Sequence, residues 1–500
     1  MLSKFTVEPG LNEPILRELK SVIQSLPAEK KLVTLLFDEI SLAPGTEYNI
    51  TTGQIIGFED MGNDRRHKTL ADHALVLMIK GIKSKSKQAI SFTFCKSCTK
   101  ASDLKEILTE AIKELQHIEF RVVATICDQA SSNVKVIKML QEDTKNKYKQ
   151  RGIIYESNAF EIENMKVFPE FDTPHLLKGV RNNLLKKDAE FLQNGETKCA
   201  KWEHLKLLLD IDDGDDEIRL LNKLTEMHII KEKIPKMKVK YAAQVFSQRV
   251  SSAMRFLARH NVLPEECKGT ADFLLIFDKL FDTFNGHSYK LSEKQYKRCL
   301  KNNSLHFKLW DDLIPILESI KFKSVVRKNG IQSIKYESIP SVKNWVKNIK
   351  TFKELWHYLS TEHDIKSLTT RSFNQDPLEN FFSGIRSNGI RNVNPSCNQF
   401  CNAFKTLIIN NFNSSHSPRA NCENDDNNAF KSMANLLNDK KCIDSNNDDF
   451  ACDIDGLLNV MGQIKNNDKL VYAEAKKYVI GCISKYKCKW ESNNEVYLGI

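Results

Sequence analysis

The sequence predicts an α/β fold, a mixed sheet flanked by helices and interrupted by a large helical insertion. Three observations predict it. Two apolar, β-branched runs each end on an aspartate, at residues 32–38 (Leu-Val-Thr-Leu-Leu-Phe-Asp) and 120–128 (Phe-Arg-Val-Val-Ala-Thr-Ile-Cys-Asp). Strand and helix patterns alternate around them. Residues 202–317 then turn helical throughout, a block too large for a loop inside one domain.

Each element follows from its residues. A helix is read over 14–26. Seven apolar residues at 32–38 suit a buried strand and are too few for a helix, so Asp38 is expected at the carboxyl end of a central strand. Residues 48–58 and 73–82 read as strands with a polar loop between them, and 89–94 reads as a further strand whose place in the sheet is left open. Leu104, Ile107, Leu108, Ala111, Ile112 and Leu115 recur at helical spacing behind Asp103. The strand that ends at Cys127 is followed by a helix from about Ser131, with Val134, Ile137 and Leu140 inward. Residues 171–187 open on a short strand or turn and continue as a basic helix, where Lys178, Arg181, Lys186 and Lys187 bring positive charge near the sheet.

Strand, paired strands, helix, strand, helix is the order of a ribonuclease H-like fold, in which two adjacent central strands carry metal-binding aspartates. If the two strands are parallel neighbours, Asp38 and Asp128 lie side by side and repel unless a cation sits between them. Such a site needs a third carboxylate. In 372–386 (Ser-Phe-Asn-Gln-Asp-Pro-Leu-Glu-Asn-Phe-Phe-Ser-Gly-Ile-Arg), Asp376 reads as an N-cap and Pro377 as the first helical residue. Glu379 then falls in the first turn, where the helix dipole favours an ionised carboxylate, and Leu378, Phe382 and Ile385 face the core.

Within the helical block, Val239, Ala242, Phe246, Val250, Ala253 and Leu257 form one stripe and 273–284 another apolar cluster. Residues 322–350 read as a basic, less regular return segment, 412–455 as a polar mobile linker and 456–500 as a helical tail. The expected domains are thus a lead-in (1–30), a catalytic domain in two parts (31–170 and 321–411), an insertion (171–320), the linker and the tail.

Five hundred residues at 41% hydrophobic content can bury several domains' cores, and a net charge of +10 suits a polyanion-binding surface. Thirteen scattered cysteines point to a reducing compartment. No run of about 18 apolar residues spans a bilayer and no signal-peptide pattern opens the chain, so a soluble intracellular protein is expected, with no membrane partner. Cys95 and Cys98 have no second pair at zinc spacing and read as ordinary thiols. His175 reads as a carboxylate-orienting, DNA-contacting or structural ring, and the acidic run 210–217 as an exposed loop.

Five stretches in order carry a resemblance: 36–41 (Leu-Phe-Asp-Glu-Ile-Ser), 127–133 (Cys-Asp-Gln-Ala-Ser-Ser-Asn), 171–183 (Phe-Asp-Thr-Pro-His-Leu-Leu-Lys-Gly-Val-Arg-Asn-Asn), 236–247 (Lys-Met-Lys-Val-Lys-Tyr-Ala-Ala-Gln-Val-Phe-Ser) and 374–382 (Asn-Gln-Asp-Pro-Leu-Glu-Asn-Phe-Phe). Over roughly residues 20–410 the chain resembles the P-element transposase family, which includes proteins with an amino-terminal THAP finger. The resemblance implies a DDE-type ribonuclease H-like domain, interrupted by a helical GTP-binding insertion, that cuts and joins DNA in the nucleus. It implies Asp38, Asp128 and Glu379 as the catalytic, metal-holding carboxylates, with magnesium or manganese as the ion. It also implies GTP as a positioning cofactor, held by Lys223, Lys238, Val239 and Asp282, with Asp376 at the junction. No Gly-x-x-x-x-Gly-Lys-Ser/Thr loop occurs, so a P-loop is excluded. DNA is the implied partner, and a homo-oligomer stays open. Family members usually begin with the THAP finger and a coiled coil, whereas this sequence opens almost directly on the catalytic domain. The expected alternative to an active transposase is a truncated or domesticated, transposase-derived DNA-binding protein.

Overall fold

The computed structural model describes residues 7–49, 53–63, 65–213, 219–287, 294–328, 331–389, 391–409 and 428–429. The expected tail, and all of the polar linker from 412 on except 428–429, lie outside these. The chain divides into two compact units, Met1–Leu209 with Leu224–Asp439, and Asp210–Lys223 with Lys440–Ile500. In the second, the buried Asp212 carboxylate takes the backbone N–H of Leu220 at 2.7 Å and pairs with Arg219 at 3.6 Å. Residues 214–218 of the acidic run lie outside the described residues.

In the first unit the central strands are β1 (Leu32–Ser41), β2 (His73–Gly81), β3 (Ser86–Cys95), β4 (Arg121–Cys127) and β5 (Met165–Phe171). Their order is β5-β4-β1-β2-β3. β1 pairs parallel with β4 and antiparallel with β2, and β4 pairs parallel with β5. Helix α1 (Ala101–His117) links β3 to β4 and α2 (Ser131–Lys149) follows β4. The six α1 positions expected inward, Leu104 to Leu115, are all buried. β1 has six consecutive buried residues, as a strand covered on both faces must. This is the ribonuclease H-like order, and the strand at 89–94, unplaced from the sequence, is the third strand of its sheet.

Four local expectations are corrected. β1 runs on to Ser41, because its antiparallel partner β2 continues to His73, so Asp38 lies three residues before the strand's end. Residues 48–58 are not one strand: Glu47–Asn49 and Gln54–Ile56 form a hairpin, Gly53 sits at φ +69°, and Gly57 at φ +117° breaks the chain before Phe58–Asp60. The 239–257 stripe divides into α4 (Val239–Val245) and α5 (Gln248–Arg259), because the Ser247 hydroxyl accepts the Val250 N–H at 3.3 Å and starts a new helix. Residues 322–350 are regular: strands Lys321–Lys328 and Ile331–Glu337 join Ala189–Gln193 and Glu196–Ala200 in a second, four-stranded sheet. Helix α8 (Pro340–Glu362), introduced below with its neighbours, takes up the rest.

The inserted helices are tied to the catalytic layer by aromatic packing. α6 (Cys267–Phe284) ends on Phe284, whose ring lies 5.5 Å from Trp310 of α7 (His306–Ser319) and 5.6 Å from Trp345 of α8. Phe352 of α8 in turn meets Phe373 at 5.1 Å, in the turn that leads into α9 (Asp376–Ser387). After α9 comes α10 (Cys397–Ile409), whose Phe400 and Phe404 pack on Phe92 of β3. Buried aromatics of this size supply much of the core's stabilisation.

Candidate catalytic carboxylate site

The register places the first two carboxylates together. Leu36 pairs with Ile126 across the parallel β1–β4 ladder, so two residues further along both strands Asp38 and Asp128 stand level. Phe171 pairs with Cys127 on the other side of β4, which brings Asp172 level with Asp128 as well. Three aspartates thus share one end of three adjacent parallel strands. Glu379 arrives from the first turn of α9, held by Leu378, Phe382 and Ile385, all buried as expected.

The helix start differs by one residue from the expectation. Gln375, not Asp376, is the N-cap, and Asp376 and Pro377 are the first two helical residues. The reason is local: the Asp376 side chain is taken by Asn374 Nδ2 at 2.8 Å and Arg371 at 3.7 Å, so it does not turn back to cap the helix.

Burial first, then the charges of Asp128 and Glu379, push the Asp38 carboxyl up to about 8 against opposing pulls from His175 and the Glu39 N–H. Asp128 accepts the Ala130 N–H at 2.9 Å and Asn133 Nδ2 at 2.7 Å, which fixes one of its oxygens. Asp38 accepts the Glu39 N–H at 2.8 Å. Asp38, Asp128 and Glu379 each keep part of their surface open to solvent.

Positive charge comes from two side chains. Burial opposes a charged His175 ring, but Asp172, 2.7 Å from Nδ1, outweighs it and pushes His175 up to about 9. The other ring nitrogen, Nε2, faces Glu379 Oε1 at 3.7 Å. Burial would raise the Asp172 carboxyl, but the bond to His175 holds it below its ordinary value. Arg386, two turns along α9, is lowered by burial and held up by Glu379 and Asp38. Lys178 and Arg181, expected to lend charge to the sheet, are buried and engage main-chain carbonyls instead, Lys178 that of Met237 at 3.4 Å and Arg181 that of Lys236 at 2.6 Å.

The donor set is all carboxylate oxygen, the hard kind that magnesium and manganese take, and a surplus of buried negative charge is what a divalent cation relieves. These residues fit such an ion. Among the described residues no three His, Cys, Asp or Glu side chains stand close enough together to hold one ion as they are. Cys95 is buried, its thiol 3.8 Å from Glu39 Oε1, and Cys98 is exposed.

The residues expected around a nucleotide are dispersed over several elements. Lys238 is the residue before α4, and Val239 is its buried first residue. Asp282 is buried on α6 and faces Lys294 at 3.3 Å and Lys297 at 3.5 Å. Asp376 is buried at the head of α9, where burial and then Asp172 push its carboxyl up. Lys223 belongs to the other compact unit.

Sequence reasoning missed Asp172 and Gln375. Asp172 carried a readable signal, an aspartate directly after a strand, but the sequence reading took residues from 171 on only as a short strand or turn before a basic helix. Nothing in the sequence pointed to Gln375.

Among the described residues no helix is long and apolar enough to cross a membrane. Three family models match the chain: TNP-like, RNase H N-terminal domain over residues 7–141, TNP-like, GTP-binding insertion domain over 174–299, and TNP-like, RNase H C-terminal domain over 372–405. The chain is 27% identical over 384 residues to the Transposable element P transposase of Drosophila melanogaster, covering 76% of this chain and 45% of that protein. It is 24% identical over 420 residues to the human DNA transposase THAP9, covering 81% of this chain and 44% of that protein. It therefore spans less than half the length of these curated relatives. Its fold matches the solved Drosophila P element transposase strand transfer complex with a TM-score of 0.64 at 24% identity, over 82% of this chain and 83% of that one. Two ribonuclease H-like parts separated by a GTP-binding insertion domain, in the same order as in these relatives, make this chain a member of the P-element transposase family.

Proposed function

We propose that this chain is the catalytic core of a nuclear DNA transposase that cleaves phosphodiester bonds and joins strands at transposon ends. The observation that carries this reading is that Asp38 and Asp128 stand level across the β1–β4 ladder and that Glu379, more than two hundred positions further along the chain, acts on the Asp38 charge. These three would hold magnesium or manganese, which when bound supplies an activated water or 3′-hydroxyl and stabilises the leaving oxygen. The protein's own part is to orient and balance charge. Asp172 fixes the direction of His175 and keeps its ring charged, and the ring steadies Glu379. Arg386 offers a second fixed cation near Glu379 and Asp38, suited to a phosphate. No covalent protein nucleophile is required.

The insertion is read as a GTP site, with Lys223, Lys238, Val239, Asp282 and Asp376 as its residues and GTP as a positioning cofactor. Asp282 is apt because a carboxylate accepts both hydrogens of a guanine N1 and N2 edge, and Lys294 and Lys297 stand 3.3 Å and 3.5 Å from it. The domain limits follow the sequence, with 31–170 and 321–411 as the two parts of the catalytic domain around 171–320.

A second reading is a transposase-derived DNA-binding protein without mobility. Cleavage of a transposon-end duplex with Mg2+ or Mn2+ separates the two. The core reading expects cleavage by the parent and none by Asp128→Asn, while equal cutting by both removes the assigned site.

A further inference from the structure

One buried residue, Gln375, is tied to the polypeptide beside all three carboxylates, directly at Asp38 and Glu379 and through Asp172 at Asp128. The Gln375 Nε2 amide donates to the Phe37 carbonyl at 2.8 Å, one residue before Asp38. The β1–β4 pairing ends at Leu36 and Ile126, so Gln375 serves a carbonyl at the place where the ladder stops. The Gln375 backbone N–H donates to Asp172 Oδ1 at 2.8 Å, and the Asp172 N–H donates to the Cys127 carbonyl at 2.8 Å, one residue before Asp128. The Glu379 N–H closes on the Gln375 carbonyl at 3.0 Å. Gln375 is fully buried and Asp172 is 1% exposed, so no water competes for these bonds.

We propose that Gln375, with Asp172 behind it, is a positioning residue that sets where Glu379 stands relative to Asp38 and Asp128. The need is geometric. Asp38 and Asp128 are held level by the sheet, but Glu379 returns on a separate helix after the long insertion, and no ladder fixes its register. The Gln375 clamp supplies that register, joining the head of α9 directly to the carbonyl before Asp38 and, through the Asp172 side chain, to the carbonyl before Asp128. A carboxylate set held this way has less distance to cover when an ion gathers it, which lowers the cost of binding.

The inference rests on the metal-dependent transposase reading, and the test separates the two. Gln375→Met keeps length and apolar bulk but removes the donor. Its expected effects are three. The Mn2+ concentration giving half of the maximal thermal shift rises tenfold or more, cleavage falls about 10–100-fold as for other residues that orient metal ligands, and duplex affinity is unchanged. Peptides spanning 374–382 exchange amide hydrogen faster than in the parent. Asp172→Asn moves all readouts in the same direction and serves where Gln375→Met does not fold. Leu108→Ala, a packing control in the core face of α1, lowers the melting temperature while leaving the Mn2+ midpoint in place. The proposal is overturned if Gln375→Met leaves both the Mn2+ midpoint and the exchange of 374–382 at parental values, or if Leu108→Ala shifts the midpoint equally. A parent that Mn2+ does not stabilise at all sinks the metal reading, and the clamp is then decided by the exchange of 374–382 alone.

Discussion

His175 stands between two carboxylates, with Nδ1 2.7 Å from Asp172 and Nε2 3.7 Å from Glu379. Asp172 is almost wholly buried and the ring is 21% exposed, so the pair is an ion pair inside the protein that presents its positive edge to the site. Removing the ring therefore has two separable consequences. His175→Ala leaves a buried, unpaired Asp172, which costs about 3 kcal/mol of stability, measurable by chemical denaturation. It also deprives Glu379 of its cationic neighbour on α3 (Thr173–Leu184), so cleavage is expected to fall well beyond what the lost stability explains. Cleavage at the parental rate by the folded variant would remove His175 from the reaction.

Asp38 and Asp128 repel each other without an intervening cation, and burial makes the Asp38 charge costlier still. Asp38→Asn is accordingly expected to abolish cleavage while raising the melting temperature of the metal-free protein. The same variant should gain less from added Mn2+ than the parent does. A melting temperature that drops on this substitution would mean that Asp38 is structurally engaged, contrary to the site's excess of negative charge.

Much of this site was legible because its strands announce themselves. Uninterrupted apolar runs before Asp38 and Asp128 leave only a buried strand as a reading, and Asp-Pro before Glu379 marks a helix start. What was hidden depends on partners distant in sequence. β5 takes its place from the parallel ladder with β4, which its own residues do not announce. The Ser247 cap is invisible to a stripe of apolar residues that stays in phase across it. Gln375 was unreadable in principle, since its role is defined by the carbonyl of Phe37, which no local pattern can associate with it. The hairpin Lys321–Lys328 and Ile331–Glu337 lacked clean alternation, and its basic residues read as a linker.

The nucleotide assignment predicts selectivity. GTP is expected to raise the melting temperature and ATP is not, because only a guanine edge offers two hydrogens to one carboxylate. Asp282→Asn should lose the response to GTP, since an amide presents one acceptor and one donor in place of two acceptors. Equal protection by both nucleotides would remove Asp282 from base recognition.

Asp278 lies one turn before Asp282 on α6, with Lys294 3.8 Å away. Burial and then the Asp282 charge push its carboxyl up to about 6. Because its folded value is raised above the ordinary carboxylate value, this group favours the fold fully below about pH 4 and loses that contribution as pH rises through 6. Asp278→Asn removes the charge yet keeps an oxygen for the Gln248 N–H at the start of α5, which Asp278 also accepts. The variant is expected to be more stable than the parent at pH 8, by up to about 3 kcal/mol at about 1.4 kcal/mol per pH unit, and to match it near pH 4. Denaturant melts of both proteins between pH 4 and pH 8 read this directly. Parallel curves across that range would show that Lys294 and Lys297 already neutralise the pair.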